Sequence, residues 1–182
     1  MVLISEMKFG IKAQSINEIA NRITNIDWYK KVGEKDNNAE KTFHRFIEKL
    51  KVKHYEIQWI TKEQTPAFIG NLNVTDSEIW SVLCNLPDVL KKKINEAEQA
   101  DLLEKLIETV PQEVFHVAFQ KAFQQFGEEK QVHFFVGLAM YMAVLICTAE
   151  LAGEVDLFVP LLELLESGHV PVGLDGNIIF LL

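Results

Sequence analysis

A chain of 182 residues with a formal net charge of −8 has the size of one acidic domain. Its 48% apolar content and twelve phenylalanines exclude a disordered chain, because that much aromatic surface must be buried. No disulfide or metal is needed for stability, since a chain of this length buries roughly 70% of its unfolded surface. We therefore predict a single globular domain over 1–182.

The cysteines and the first residues favour a reducing cytoplasm. Cys84 and Cys147 lie far apart, with no Cys-x-x-Cys spacing. The chain begins with a short apolar run that is followed by Glu6, which is far short of the apolar core of an export signal. We predict a cytoplasmic protein whose two thiols are unpaired.

The negative charge is unevenly placed. Residues 1–60 sum to +3, whereas 61–182 sum to −11. The acidic part would repel phosphate backbones, which disfavours nucleic-acid binding there. It would attract a basic surface, so we predict a basic protein as a partner.

The N-terminal third predicts two helices and one short strand. Residues 1–14 have no clear periodicity and are interpreted as a loose arm or a short strand. A Ser-x-x-Glu capping box predicts a helix from Ser15 that stops at Gly33. A second helix is predicted from about Asn38. Alternating aromatic and aliphatic residues favour a strand over 54–60, although a continuing helix is not excluded.

Polar residues and prolines mark the next predicted boundaries. Residues 61–75 are predicted to be a loop, and a second capping box at Thr75 is predicted to open a helix. Pro87 and Pro111 each fit the first turn of a new helix, where the missing N–H is not needed. Pro160 is compatible with the last helix only if it lies in the first turn.

The most apolar segment predicts the centre of the fold. A phenylalanine-rich stripe at helical spacing precedes it and ends at Gly127; its members are Phe115, Phe119, Ala122, Phe123 and Phe126. An uncharged run then predicts a helix over 131–152 that is apolar on all sides. Such a helix lies in a protein core or in a membrane. We predict a core helix and no membrane, because a span needs about 20 apolar residues and no basic cluster flanks this run.

The C-terminal residues predict a β-hairpin over 169–182. Asp175 and Gly176 have the two residue types of a type I′ turn between β-forming residues. An isolated hairpin is marginal in water, so this one should pack on helices or pair with the strand at 54–60. The prediction is a mainly α fold with a minor β part: six or seven helices around the 131–152 helix, with a small antiparallel sheet.

Four residues are candidate metal ligands. Glu113 and His116 form a Glu-x-x-His spacing, which puts a carboxylate and an imidazole one turn apart, as in di-iron helical bundles. Glu129 and His133 could supply part of an irregular site. The simpler interpretation is two surface pairs, since no second Glu-x-x-His occurs in the sequence.

Other chemistry is weakly indicated. Neither Cys84 nor Cys147 has the helix N-terminus or cationic neighbour that activates a thiol. Phosphate-binding and nucleophile-elbow motifs are absent from the sequence, and we predict no cofactor. The basic stretch 41–53, followed by Tyr55 and Trp59, could contact a single strand, but a solvated helix face explains it more simply.

Three functional hypotheses follow. The first is a non-catalytic protein-interaction module, for example an inhibitor that covers a cationic protein with an acidic face as immunity proteins do. The second is a small-molecule-binding or enzymatic domain with an aromatic-lined pocket near His116 or His133. The third is a metal-binding helical bundle. A homodimer through the edge of the hairpin is a further expectation.

Overall fold

The computed structural model describes residues 11–70 and 77–182. This part of the chain is mainly helical, with a small mixed sheet. In chain order the elements are α1 (Ile11–Thr24), α2 (Asn37–Lys49), β1 (Glu56–Trp59), α3 (Thr65–Gly70), α4 (Glu78–Glu96), α5 (Ala100–Phe126), α6 (Glu129–Leu151), α7 (Val155–Glu166), β2 (Pro171–Asp175) and β3 (Ile178–Leu181). The predicted mainly α class is confirmed.

The central helix of the fold is α6. It packs most extensively on α5 and also contacts α1, α3, α4 and α7. By length and composition alone α6 could cross a membrane, but 61% of its most apolar 18-residue stretch is buried inside the protein. The helix predicted over 131–152 therefore occupies the core.

The sheet is mixed, not antiparallel as predicted. β3 lies in the middle, with β2 antiparallel on one side and β1 parallel on the other. The chain between β1 and β3 passes through five helices before it returns, and a connection of that length permits parallel pairing. The predicted pairing of the hairpin with the 54–60 segment is confirmed.

The turn of the hairpin differs from the type I′ prediction. Asp175 belongs to β2 and pairs with Ile178, so Gly176 and Asn177 form the turn. Gly176 has a φ of +57° and Asn177 is not left-handed. A glycine in the first position alone fits a type II′ turn.

Pro87 and Pro111 lie inside helices, contrary to the prediction that helices begin there, and Pro160 lies beyond the first turn of the last helix, where it was not expected. Pro87 interrupts α4, Pro111 interrupts α5 and Pro160 interrupts α7. A proline removes one backbone hydrogen bond, yet the flanking turns are buried on both sides, as Leu86 and Leu90 show in α4. Packing of the apolar face decides the helix length here, as it does in most proteins.

Two predicted boundaries shift and one loop is partly helical. α1 begins at Ile11 and not at Ser15, and it ends at Thr24, well before Gly33. Within the predicted loop 61–75, residues 65–70 form α3. Residues 1–10 of the predicted arm lie outside the described residues.

The cap of α4 also differs from the prediction. Thr75 lies outside the described residues, and Ser77 caps the helix: its hydroxyl accepts a hydrogen bond from the backbone N–H of Trp80 at 3.1 Å.

Helix α7 ends two residues before Gly168, which makes a close contact with the loop after α1. Gly168 has a φ of +92°, and a side chain there would meet the Cβ of Lys30 at 2.9 Å. The backbone N–H of Lys31 donates to the Gly168 carbonyl oxygen at 3.1 Å. Glycine at this position lets the turn before the hairpin dock against the loop after α1.

Candidate docking surface on the fifth helix

The four predicted metal ligands lie apart. Glu129 and His133 pair at 3.6 Å on the exposed start of α6, and His116 is exposed near the middle of α5. From His116 to the end of α5 is about 15 Å along the helix axis. Among residues 11–70 and 77–182, no three His, Cys, Asp or Glu side chains are grouped so that they could hold a metal ion.

The half-buried Glu113 has a different neighbour. Its carboxylate is near Cys147, a thiol that lies in the core of α6. Burial, followed by the charges of Glu150 and Glu113, raises the pKa of Cys147 to about 12. Cys147 therefore carries its proton at neutral pH and is no nucleophile, whereas Cys84 is exposed.

Tyr55 and Trp59, the aromatic residues after the basic stretch 41–53, form hydrogen bonds within the protein. The hydroxyl of Tyr55 lies 2.6 Å from Nδ1 of His44, and the indole N–H of Trp59 donates to Glu40 at 2.8 Å. Both rings are half-buried. They do not form an open platform on which bases could stack.

Two groups of acidic residues that follow α4 differ in their ion pairing. In the first group, Glu154, Glu163 and Glu166 are paired with cations from earlier in the chain. Arg22 makes two hydrogen bonds to Glu166, at 2.8 and 2.9 Å, and Arg45 contacts Glu163 at 2.6 Å. Lys93 pairs with Glu154 in the same way. This part of the predicted acidic face is largely neutralised.

The second acidic group lies on the first half of α5. The three acids Asp101, Glu104 and Glu108 are exposed around a single exposed lysine, Lys105. Their spacing of three and four positions puts them on one face of the helix. Asp101 in the first turn also stabilises the helix dipole, but Glu104 and Glu108 are beyond its range.

Only part of the predicted phenylalanine stripe faces the core: Ala122 is buried, whereas Phe115 and Phe123 lie at the surface. Phe115 and Phe123 have 38% and 58% of their surface exposed, and Phe119 is half-buried. The rings of Phe115 and Phe119 stack with centroids 5.6 Å apart, and those of Phe119 and Phe123 at 6.3 Å. Phe126 does reach the core, where it stacks on Phe135 at 4.0 Å. The result is a ladder of three aromatic rings, with the half-buried Phe119 between the exposed Phe115 and Phe123.

A second apolar face of α5 occupies the core instead. Its members recur every three or four positions and are all buried: Leu103, Leu106, Val110, Val114, Ala118 and Ala122. The two alanines have no exposed surface. Small side chains at a contact let helix axes approach closely, and α5 packs most extensively on α6. This second periodicity was the signal that the sequence interpretation missed.

The acids and the aromatic ladder share one face of α5. Their positions advance by three or four residues throughout, close to the helical repeat of 3.6. We call this face the α5 outer stripe; it consists of Asp101, Glu104, Glu108, Gln112, Phe115, Phe119 and Phe123. It is about 33 Å long, acidic in its first half and aromatic in its second.

Comparison of the chain with protein-family models, with curated proteins and with solved structures finds no match.

Proposed function

We propose that this protein is a non-catalytic interaction module and that its α5 outer stripe docks a basic, amphipathic segment of a partner protein. The observation that carries the proposal is the ladder of Phe115, Phe119 and Phe123, whose two outer rings are exposed. Aromatic side chains left exposed side by side are a common mark of an interaction surface. Aromatic residues also dominate the binding energy of most interfaces.

The charges of the stripe select the partner. Asp101, Glu104 and Glu108 continue the ladder toward the start of the helix and outnumber the one lysine among them, Lys105. A complementary segment has apolar residues over the rings and lysine or arginine over the carboxylates. Opposite charges at the rim of an interface mainly speed association and exclude wrong partners.

A helix is the form of partner that we favour. A stripe with a 3.6-residue repeat is matched by the i, i+3, i+4 and i+7 positions of a second helix. The acidic half disfavours self-association in parallel register, because like charges would face each other. An inhibitor that covers a cationic protein in the cytoplasm is one role that such a module could have.

The other two hypotheses, a small-molecule-binding or enzymatic domain and a metal-binding helical bundle, have less support. Both His116 and His133 are exposed on helix surfaces. The carboxylates predicted to join them in a metal site are dispersed over two helices. Neither an enzyme nor a metal centre is proposed from these residues.

A designed peptide tests the proposal. The probe is a 21-residue helical peptide with leucines on one face of one half and lysines on the same face of the other half, labelled for fluorescence anisotropy. We expect Phe119→Ser to weaken binding about tenfold, since a central aromatic anchor typically contributes more than 1 kcal/mol. We expect Glu104→Gln with Glu108→Gln to weaken it several-fold at low salt and little at high salt.

The matched control is Val89→Ser, because Val89 is 51% exposed on α4 and lies outside the stripe. This variant should bind the peptide as the unmodified protein does. An equal loss in Phe119→Ser and Val89→Ser would show nonspecific hydrophobic attraction and overturn the proposal. A peptide with glutamates in place of the lysines should bind at least tenfold more weakly.

A further inference from the structure

A small apolar pocket lies where α4, α5 and α6 meet. Leu103 and Ile107 of α5, Val144 and Leu145 of α6 and Pro87 of α4 form most of its wall, and its volume is about 170 Å³. An apolar cavity of roughly 150 Å³ holds a benzene molecule. Pockets for drug-sized ligands begin at about 300 Å³. The pocket therefore fits one small ring.

Two hydroxyl groups line the pocket, that of the largely exposed Tyr141 and that of Thr148. Thr148 lines the pocket and has only 8% of its surface exposed, yet its hydroxyl forms no hydrogen bond with any residue that the structure describes. Threonines elsewhere in the helices differ: the hydroxyls of Thr24 and Thr109 donate to the carbonyl four residues earlier, at 3.1 and 2.8 Å. Among the described residues, the fully buried side-chain polar atoms without a hydrogen-bond partner are Asn17 Oδ1 and Trp28 Nε1, so the Thr148 hydroxyl is accessible from the pocket. The Thr148 hydroxyl is thus available to a polar atom of a ligand.

The mouth of the pocket carries a cation. Lys91 lines it from α4 and forms no ion pair within the described part of the chain, whereas Lys92 and Lys93 pair with Glu96 and Glu154. An ammonium group beside an apolar slot favours a ligand with an anionic end, since pairing at the mouth leaves both charges partly hydrated.

We propose that this pocket binds a small aromatic carboxylate. The ring lies between the apolar walls, a polar ring substituent bonds to the Thr148 hydroxyl, and the carboxylate pairs with Lys91 at the mouth. The site shares no residue with the α5 outer stripe, so this proposal stands or falls independently of the proposed function.

The test is a calorimetric titration with benzoate, with 4-hydroxybenzoate and with benzylamine, which carries the opposite charge. We expect benzoate to bind at least tenfold more tightly than benzylamine, and Lys91→Gln to abolish that preference. We expect Thr148→Val, which keeps the shape of the side chain, to weaken 4-hydroxybenzoate several-fold and to leave benzoate unchanged. A circular-dichroism melt of each variant verifies its fold.

A matched pair of variants tests the location. Ile107→Trp fills the mouth of the pocket, and Val89→Trp adds the same ring on α4 outside it; the two side chains are 50% and 51% exposed. Ile107→Trp should weaken benzoate at least tenfold and Val89→Trp should leave it unchanged. Equal binding of benzoate and benzylamine, no binding of either, or undiminished benzoate binding in Ile107→Trp would overturn the proposal.

Discussion

The phenol of Tyr29 donates a hydrogen bond to the carbonyl oxygen of Phe135, which lies 106 residues further along the chain. Both side chains are buried, and their rings meet edge to face with centroids 5.3 Å apart. Tyr29 has a φ of +64°, so it is one of the few non-glycine residues with a left-handed backbone. The contact fixes the loop after α1 against the first turns of α6.

Removing this hydroxyl should destabilise the fold. We expect Tyr29→Phe to lower the free energy of unfolding by about 1–2 kcal/mol, because a buried hydrogen bond is lost while the ring packing stays. Urea denaturation followed by circular dichroism measures the change. Tyr141→Phe is the control, since Tyr141 is exposed and should lose less than about 0.5 kcal/mol. Equal stability of Tyr29→Phe and the unmodified protein would contradict the role given to this contact.

Alkaline pH should unfold the protein progressively. Burial raises the pKa of Cys147 from 9.0 to about 12 and also raises that of Tyr29 above its ordinary 10.0. Both groups hold their protons more tightly in the folded state. The stability they confer is therefore fully present below about pH 9 and is lost as the pH rises toward 12.

Cys147→Ala isolates one of these two contributions. The variant should show a smaller decline in unfolding free energy between pH 9 and 12 than the unmodified protein, even though the lost packing lowers its stability at every pH. The quantity to compare is the slope of the unfolding free energy against pH, measured by denaturant titrations at several pH values, and not the stability at any one pH. Identical slopes would mean that the Cys147 thiol is not desolvated in the folded state.

The two thiols should differ sharply in reactivity. Cys84 is exposed and Cys147 is buried, so Ellman's reagent should label one thiol quickly in the native protein and the second only after unfolding. Cys84→Ser should remove the fast phase completely. Two fast equivalents in the native protein would place α6 outside the core and contradict its central position.

The helical framework could largely be predicted from the sequence. The uncharged run of α6 and the amphipathic pattern of α2 are long and unambiguous, and glycines mark the ends at Gly127 and Gly168. The helix starts predicted at Pro87 and Pro111 were wrong. Local sequence rules place proline in the first turn of a helix, but packing of the flanking turns on the rest of the fold keeps α4 and α5 continuous.

The α5 outer stripe could not be predicted from the sequence, for a related reason. Helix α5 is apolar on more than one face, so periodicity alone does not say which face is buried. The small side chains of Ala118 and Ala122 decide it, because they are buried where α5 packs while Phe115 and Phe123 lie outside. Likewise the ion pairs of Glu163 and Glu166 depend on arginines more than a hundred residues away, which no local pattern reveals.

The position of the bound peptide tests the central claim most directly. Backbone amide resonances of the isotopically labelled protein would be followed by NMR while the leucine–lysine peptide is added. We predict that the largest shifts lie between Asp101 and Phe123 on the α5 outer stripe, and that α2 and α7 change little. Shifts concentrated on α7 around Glu163, or spread evenly over the surface, would contradict a docking site on α5.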